Sequence, residues 1–172
     1  MGARPAGSVG RVEVRLATID DAEATRRIYN REVTGSTFVF EMVARTLDDQ
    51  RAWLAGHAGA HPAVVAVDAG TVVGFGSLSP YRSRPAYATT VEDSIYVEEV
   101  ARGRGIGRLL LGELVRLATA HGFHSVIGRI VGQNGPSIAV HEACGFRHIG
   151  TEREIGRKFG KWLDVAVMQL LL

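Results

Sequence analysis

Residues Tyr96 to Arg108 read Tyr96-Val97-Glu98-Glu99-Val100-Ala101-Arg102-Gly103-Arg104-Gly105-Ile106-Gly107-Arg108, a strand that enters a glycine-rich turn and then opens a helix. The glycines leave the backbone amides of Gly103 to Arg108 uncovered, and the helix N-terminus behind them adds roughly half a positive charge. Such a turn is a seat for a phosphate or pyrophosphate. Arg102, Arg104 and Arg108 bring further positive charge to it. A dinucleotide fingerprint requires G-x-G-x-x-G and a P-loop requires G-x-x-x-x-G-K-[ST]; Gly103, Gly105 and Gly107 satisfy neither. Without a ligand, the same residues would make a tight turn with exposed arginines.

Periodicity supplies the elements around this turn. Arg11 to Ala17 alternates apolar and charged residues, as a half-buried strand does. Thr18 caps a helix that runs to about Val33, with Asp21 three residues on. A loop bearing Phe38, Phe40 and Glu41 follows, and Thr46 caps a second helix to about Gly56. Ala63 to Val67 and Thr71 to Leu78 form a hairpin around Asp68-Ala69-Gly70. After an arginine-bearing loop, Ser79 to Ala86, the strand Tyr87 to Val97 leads into the glycine turn. Then come a helix over Gly107 to Ala120, a strand over Ser125 to Val131 and a short helix over Pro136 to Cys144. Two strands close the chain, Phe146 to Arg157 and Trp162 to Leu170, around a Lys158 to Lys161 turn. The order β-α-α-β-β-β-α-β-α-β-β gives a mixed α/β sheet with helices on it.

At 172 residues the chain is expected to form one domain over residues 11–172, with residues 1–10 a disordered tail. A net charge of +2 does not give the dense basic face of a nucleic-acid binder. No apolar run reaches the ~18 residues of a membrane helix, and the first ten residues lack a signal-peptide core, so the cytoplasm is the default compartment. The single cysteine, Cys144, excludes an internal disulfide and a cysteine-based metal cluster; it reads as a small buried hydrophobe.

In Thr90-Val91-Glu92-Asp93-Ser94-Ile95-Tyr96-Val97, period two puts Glu92, Ser94 and Tyr96 on one face and Val91, Ile95 and Val97 on the other. A carboxylate in mid-strand is costly unless hydrated or paired. Glu92, beside the anion seat, is a candidate general base. Asp93 falls on the opposite face and is the weaker candidate. The plain alternative for Glu92 is a solvent-facing glutamate in a salt bridge.

The pattern Arg102-x-x-Gly105-x-Gly107 resembles the acyl-CoA loop of the GCN5-related N-acetyltransferase (GNAT) family. Asn134-Gly135-Pro136, leading to His141 and Gly145-Phe146, resembles the same family's asparagine-led helix. The resemblance narrows with Arg84-Pro85-Ala86-Tyr87, Thr90-Val91-Glu92-Asp93-Ser94-Ile95-Tyr96-Val97, Val140-His141-Glu142 and Gly156-Arg157-Lys158-Phe159-Gly160-Lys161-Trp162-Leu163-Asp164-Val165. These motifs, spread over residues 12–171, are similar in order to the phosphinothricin and methionine sulfoximine acetyltransferase branch.

That resemblance implies a GNAT fold, with a mixed central sheet of about seven strands flanked by about four helices. It also implies acetyl-CoA as acyl donor, no metal, a small-molecule amine acceptor and a homodimer. By resemblance, Gly103, Gly105, Ile106, Gly107 and Arg108 hold the pyrophosphate with Arg102 and Arg104 beside them. Ile95, Tyr96 and Val97 pair with pantetheine, and Asn134 bonds the cofactor. Glu92 takes the amine proton and His141 returns one to the CoA thiolate. Phe40, Arg82, Arg84, Thr90 and Val91 are expected at the acceptor. Ala88 and Thr89 depart from the branch, which often carries an arginine or an aromatic there, so the acceptor is less specified than the reaction. The rival readings are acetylation of another amine, such as a protein N-terminus, and a non-catalytic CoA-binding regulator.

Overall fold

The alternating run at the start forms β1 (Glu13–Leu16), the first strand of the computed structural model, which describes residues 12–132 and 134–172. The tail expected over residues 1–10 lies outside the described residues. Thr18 and Asp21 start a 3-10 turn that continues as α1 (Ala22–Gly35), and the Thr18 amide donates to Asp21 Oδ2 at 2.8 Å. Asp21 also receives both guanidinium arms of Arg15, each at 2.8 Å. Burial works to raise the Asp21 pKa, but the hydrogen bonds from Arg15 and Thr18 prevail and hold it below the ordinary value. Stability from this group is therefore full above the unfolded-chain pKa and lost as pH falls through the depressed one. Asp21→Ala is expected to destabilise the fold by ~1–3 kcal/mol at neutral pH. In urea titrations the gap from wild type should narrow at acidic pH.

Thr46 caps α2 (Leu47–Gly56) through a full box: Asp49 N–H donates to Thr46 Oγ1 at 3.1 Å, and Thr46 N–H donates to Asp49 Oδ2 at 2.9 Å. The hairpin is β2 (Ala63–Asp68) and β3 (Thr71–Pro80). The next strand begins later than its composition predicts: β4 covers Thr90–Val97, and Pro85–Tyr87 forms a 3-10 turn. Pro85 sets the turn dihedral at its first position, and the Tyr87 and Ala88 amides close back onto Arg84 O and Pro85 O. Then follow α3 (Ile106–Ala120), β5 (Ser125–Val131), α4 (Gly135–Ala143), β6 (Arg147–Lys158) and β7 (Lys161–Leu171).

The described residues thus form seven strands and four α-helices, in one sheet of order β1-β2-β3-β4-β5-β7-β6. Helix α3 lies on one face, with Leu110, Leu111 and Leu114 fully buried against Val64, Leu78, Val91 and Val126. Helix α1 covers the other face through Ile28, Tyr29 and Val33 against Val65 and Phe75. Strand β2 is buried on both faces, hence its unbroken apolar run Ala63-Val64-Val65-Ala66-Val67.

All pairings but one are antiparallel. β4 and β5 run parallel, in register only from Thr90↔Ser125 to Asp93↔Gly128. Beyond that point β4 stays paired with β3 up to Val97↔Gly74, while β5 stays paired with β7. The two strands therefore part in the middle of the sheet. That gap positions the site.

Candidate active site

A cavity of about 680 Å³ opens where β4 and β5 diverge, reaching from the glycine turn to α4. Ile95, Tyr96 and Val97 border it from β4, and Gly103, Gly105, Ile106 and Gly107 from the turn. Gly103 and Gly105 sit at φ +75° and +79°, a region that costs most residues roughly 1–2 kcal/mol. Gly105 is the N-cap of α3, so the first-turn amides of that helix point into the mouth of the cavity without intrahelical acceptors.

The three loop arginines separate. Arg102 is held by Glu32 of α1 at 2.5 Å and by Val97 O at 3.1 Å. Arg104 is held by Asp68 at 2.7 Å. Arg108, exposed in the first turn of α3, makes no ion pair among the described residues. Arg102 borders the cavity, but its charge and that of Arg104 are already matched by carboxylates. Of the three, Arg108 alone has no carboxylate partner among the described residues, where the sequence suggested three available arginines.

On the far wall, Asn134 caps α4, accepting from the Ser137 amide at 3.3 Å through Oδ1, and it borders the cavity. His141 is buried rather than half-exposed on the helix. Its Nδ1 lies 2.7 Å from Ser137 O and its Nε2 lies 3.1 Å from Asp93 Oδ2, with the Phe146 ring edge-on at 5.0 Å. Burial works to lower the His141 pKa, yet the bond and charge of Asp93 prevail and raise it.

Glu92 is half-buried on the opposite face of β4. Burial raises its pKa, opposed first by the positive charge of Arg129. Arg129, on β5, borders the cavity and pairs with Glu152 of β6. Sequence reading missed Arg129; only its alternation along β5 marked it, because the partners that give it meaning lie on other strands. Tyr96, beside Glu92 on the same face, stacks on Phe75 at 4.9 Å and meets Tyr29 edge-on at 5.2 Å. Burial pushes its phenol up to about 12.

The residues expected at the acceptor do not all gather. Val91 is fully buried under α3 among core residues, which corrects its assignment: its side chain faces the core and does not line the pocket. Thr90 is half-buried where β4 begins, beside Ser125, away from the cavity wall. Phe40 lies on Gly156 of β6, so close that a Cβ there would come within 2.5 Å of the ring. Phe38, from the same loop, is the aromatic that borders the cavity. Arg82 is exposed, 5.0 Å above Tyr81 and 5.9 Å above Tyr87, and its charge reaches Glu92. Arg84 is exposed at the N-cap of the 3-10 turn, outside the cavity wall. Cys144 is half-buried, and burial raises its thiol pKa. Among the described residues no helix is long and apolar enough to cross a membrane.

Known proteins share this fold. The chain is 40% identical over 159 residues to a phosphinothricin N-acetyltransferase of Streptomyces coelicolor, covering 90% of this chain and 93% of that one. It is 36% identical over 161 residues to an L-methionine sulfoximine/L-methionine sulfone acetyltransferase of Pseudomonas paraeruginosa, covering 92% and 94%. A crystal structure of a phosphinothricin acetyltransferase from Sinorhizobium meliloti in complex with AcCoA superposes with a TM-score of 0.90 at 39% identity, over 94% of this chain and 88% of that one. The family model described as Acetyltransferase (GNAT) family matches residues 22–146. With the parted β4 and β5 strands and the glycine turn ahead of α3, this chain belongs to the GNAT acetyltransferase family.

Proposed function

We propose that this protein transfers the acetyl group of acetyl-CoA to the α-amino group of a small amino-acid-like acceptor of the phosphinothricin or methionine sulfoximine kind, directly in a ternary complex. The observation that carries the reading is the gap between β4 and β5. It leaves a half-buried carboxylate, Glu92, on one side of a single strand, and on the other the Asp93–His141 pair, which borders the cavity that begins at the glycine turn. The names and cofactor of the relatives support the choice of donor and acceptor.

The α3 amides and Arg108 hold the donor's pyrophosphate. The β4 edge at Ile95, Tyr96 and Val97, which no longer pairs with β5, offers its backbone groups to the pantetheine arm, and Asn134 adds a side-chain contact. Only a neutral amine attacks a thioester, so Glu92 takes the proton of the ammonium. A β4 amide near Tyr96 or Val97 stabilises the developing oxyanion by roughly 3–4 kcal/mol. His141 gives a proton to the departing thiolate. Arg129 shares its guanidinium with Glu152 and turns its remaining N–H groups to the acceptor's carboxylate, in place of the cation missing at Ala88 and Thr89. The exposed Ile149, Ile155 and Trp162 of the outer hairpin support a homodimer, which sedimentation checks.

Thiol release from acetyl-CoA tests the function against phosphinothricin, methionine sulfoximine, methionine sulfone, glutamate, spermidine and a short peptide. Turnover confined to the first three is expected. Turnover on spermidine or the peptide alone would overturn the acceptor class, and tight acetyl-CoA binding without turnover would favour a regulator. Arg129→Met is expected to raise the KM of an amino-acid acceptor ~10–100-fold, the worth of one charge-assisted bond. Because Arg129 opposes protonation of Glu92, the acid limb of kcat should also move to higher pH in that variant.

A further inference from the structure

Asp93 has no part in the reaction as described so far, yet it is the most deeply buried carboxylate near the cavity, with a side chain 1% exposed. Ser137 O is an acceptor only, so the 2.7 Å contact fixes a proton on His141 Nδ1. A neutral ring with that proton has a lone pair on Nε2, and an ionised Asp93 has lone pairs on Oδ2. Two lone pairs would then face each other at 3.1 Å in a buried site. A second proton between Nε2 and Oδ2 removes that conflict, whichever atom carries it. The pair is thus loaded with one transferable proton. Gly128 makes room for it, because a Cβ there would stand 2.7 Å from His141 Cδ2, 2.8 Å from Nε2 and 3.2 Å from Asp93 Oδ1.

We propose that Asp93 is a positioning residue for acyl transfer: it orients His141 and keeps on it the proton that goes to the departing sulfur, in a slot opened by Gly128. The inference rests on the N-acetyltransferase reading above. As the C–S bond breaks, its electron pair passes to sulfur and the shared proton follows, giving the free thiol and leaving neutral His141 beside the Asp93 carboxylate. The acceptor ammonium loses two protons in becoming an amide; one balances the proton on sulfur and the other leaves to solvent. Asp93 faces the ring from β4, and Ser137 O meets it from α4. Glu92 on β4 and Cys144 at the end of α4 feel the Asp93 charge, the positive charge of Arg108 on α3 opposes it at Cys144, and Arg129 of β5 stands on the same cavity wall.

The test combines an NMR titration of the His141 ring with pH profiles of kcat, in wild type and Asp93→Asn. Asparagine keeps the shape but not the charge. Its His141 pKa should fall by a unit or more, a tenfold change in the protonated fraction above it. The alkaline limb of kcat should move down by the same amount, with the KM for acetyl-CoA within about twofold of wild type. Gly128→Ala, which crowds the ring at 2.7–2.8 Å more than it does Asp93 Oδ1 at 3.2 Å and leaves both charges in place, should shift both readouts in the same direction. An unchanged His141 pKa in Asp93→Asn overturns the pairing. A shifted pKa with an unmoved alkaline limb overturns the role in proton delivery. Wild type that turns over no amine sinks the N-acetyltransferase reading, and with it proton delivery to sulfur, while the titration still decides the pairing.

Discussion

Glu92→Gln is expected to lower kcat by ~10²–10⁴, the range for removing a general base, while acetyl-CoA affinity stays close to wild type. Glutamine fills the same volume on β4, so strand pairing with Ser79 and Ile127 is kept and the loss is chemical. Burial raises the Glu92 pKa, with Arg129 opposing and Asp93 and Glu152 reinforcing the rise. A base works only when deprotonated. Wild-type kcat should therefore be full above this raised pKa and fall as pH drops through it, at a pH above the ordinary glutamate range near 4.3. In Glu92→Gln that limb should disappear, leaving a low, flat rate on the acid side. Wild-type turnover across the whole pH range in the variant would remove Glu92 from the reaction.

Gly105→Glu should raise the Kd for acetyl-CoA by more than ~100-fold, about 2.7 kcal/mol. Two effects add. The residue sits at φ +79°, where any side chain is strained, and the carboxylate is planted at the positive end of α3 beside the amides proposed to receive the pyrophosphate. A Cβ at Gly105 meets no atom within 4 Å, so the change adds no clash to that backbone strain. Gly105→Ala carries the same backbone strain without the charge and should weaken binding much less. Calorimetric titration of both variants separates the two contributions. Retained binding in Gly105→Glu would move the pyrophosphate seat away from this turn.

Much of the architecture is written in short stretches of chain. Each cap at Thr18 and Thr46 joins residues three apart, and the αL positions of the turn carry the residue that adopts them most cheaply. The strand and helix runs show themselves through periods of two and 3.6. Such signals need no knowledge of the rest of the molecule, so element order and the glycine turn were readable from the linear sequence. The family resemblance then supplied the sheet topology, which periodicity alone does not choose. The start of β4 was misplaced because Tyr87 and its neighbours have good strand composition. The constraint from Pro85 is local, but the closing bonds to Arg84 O and Pro85 O are seen only in three dimensions.

The candidate site residues divide along the same line. Glu92, His141, Asn134 and the glycine turn could be named because each stands in a motif of neighbouring residues. Their partners could not. Arg102 meets Glu32 across 70 positions, His141 meets Asp93 across 48 and Arg129 meets Glu152 across 23, all brought together by strand order and register. A charge or hydrogen bond between such groups depends on distance and burial, and neither is a property of one segment. Val91 is the clearest case: the family resemblance put it at the acceptor, but the pleat turned it toward α3 and into the core. The linear order thus carried the kinds of chemistry available to this chain. Folding chose which groups meet, by parting β4 from β5 and setting Glu92 and the Asp93–His141 pair on opposite sides of one strand.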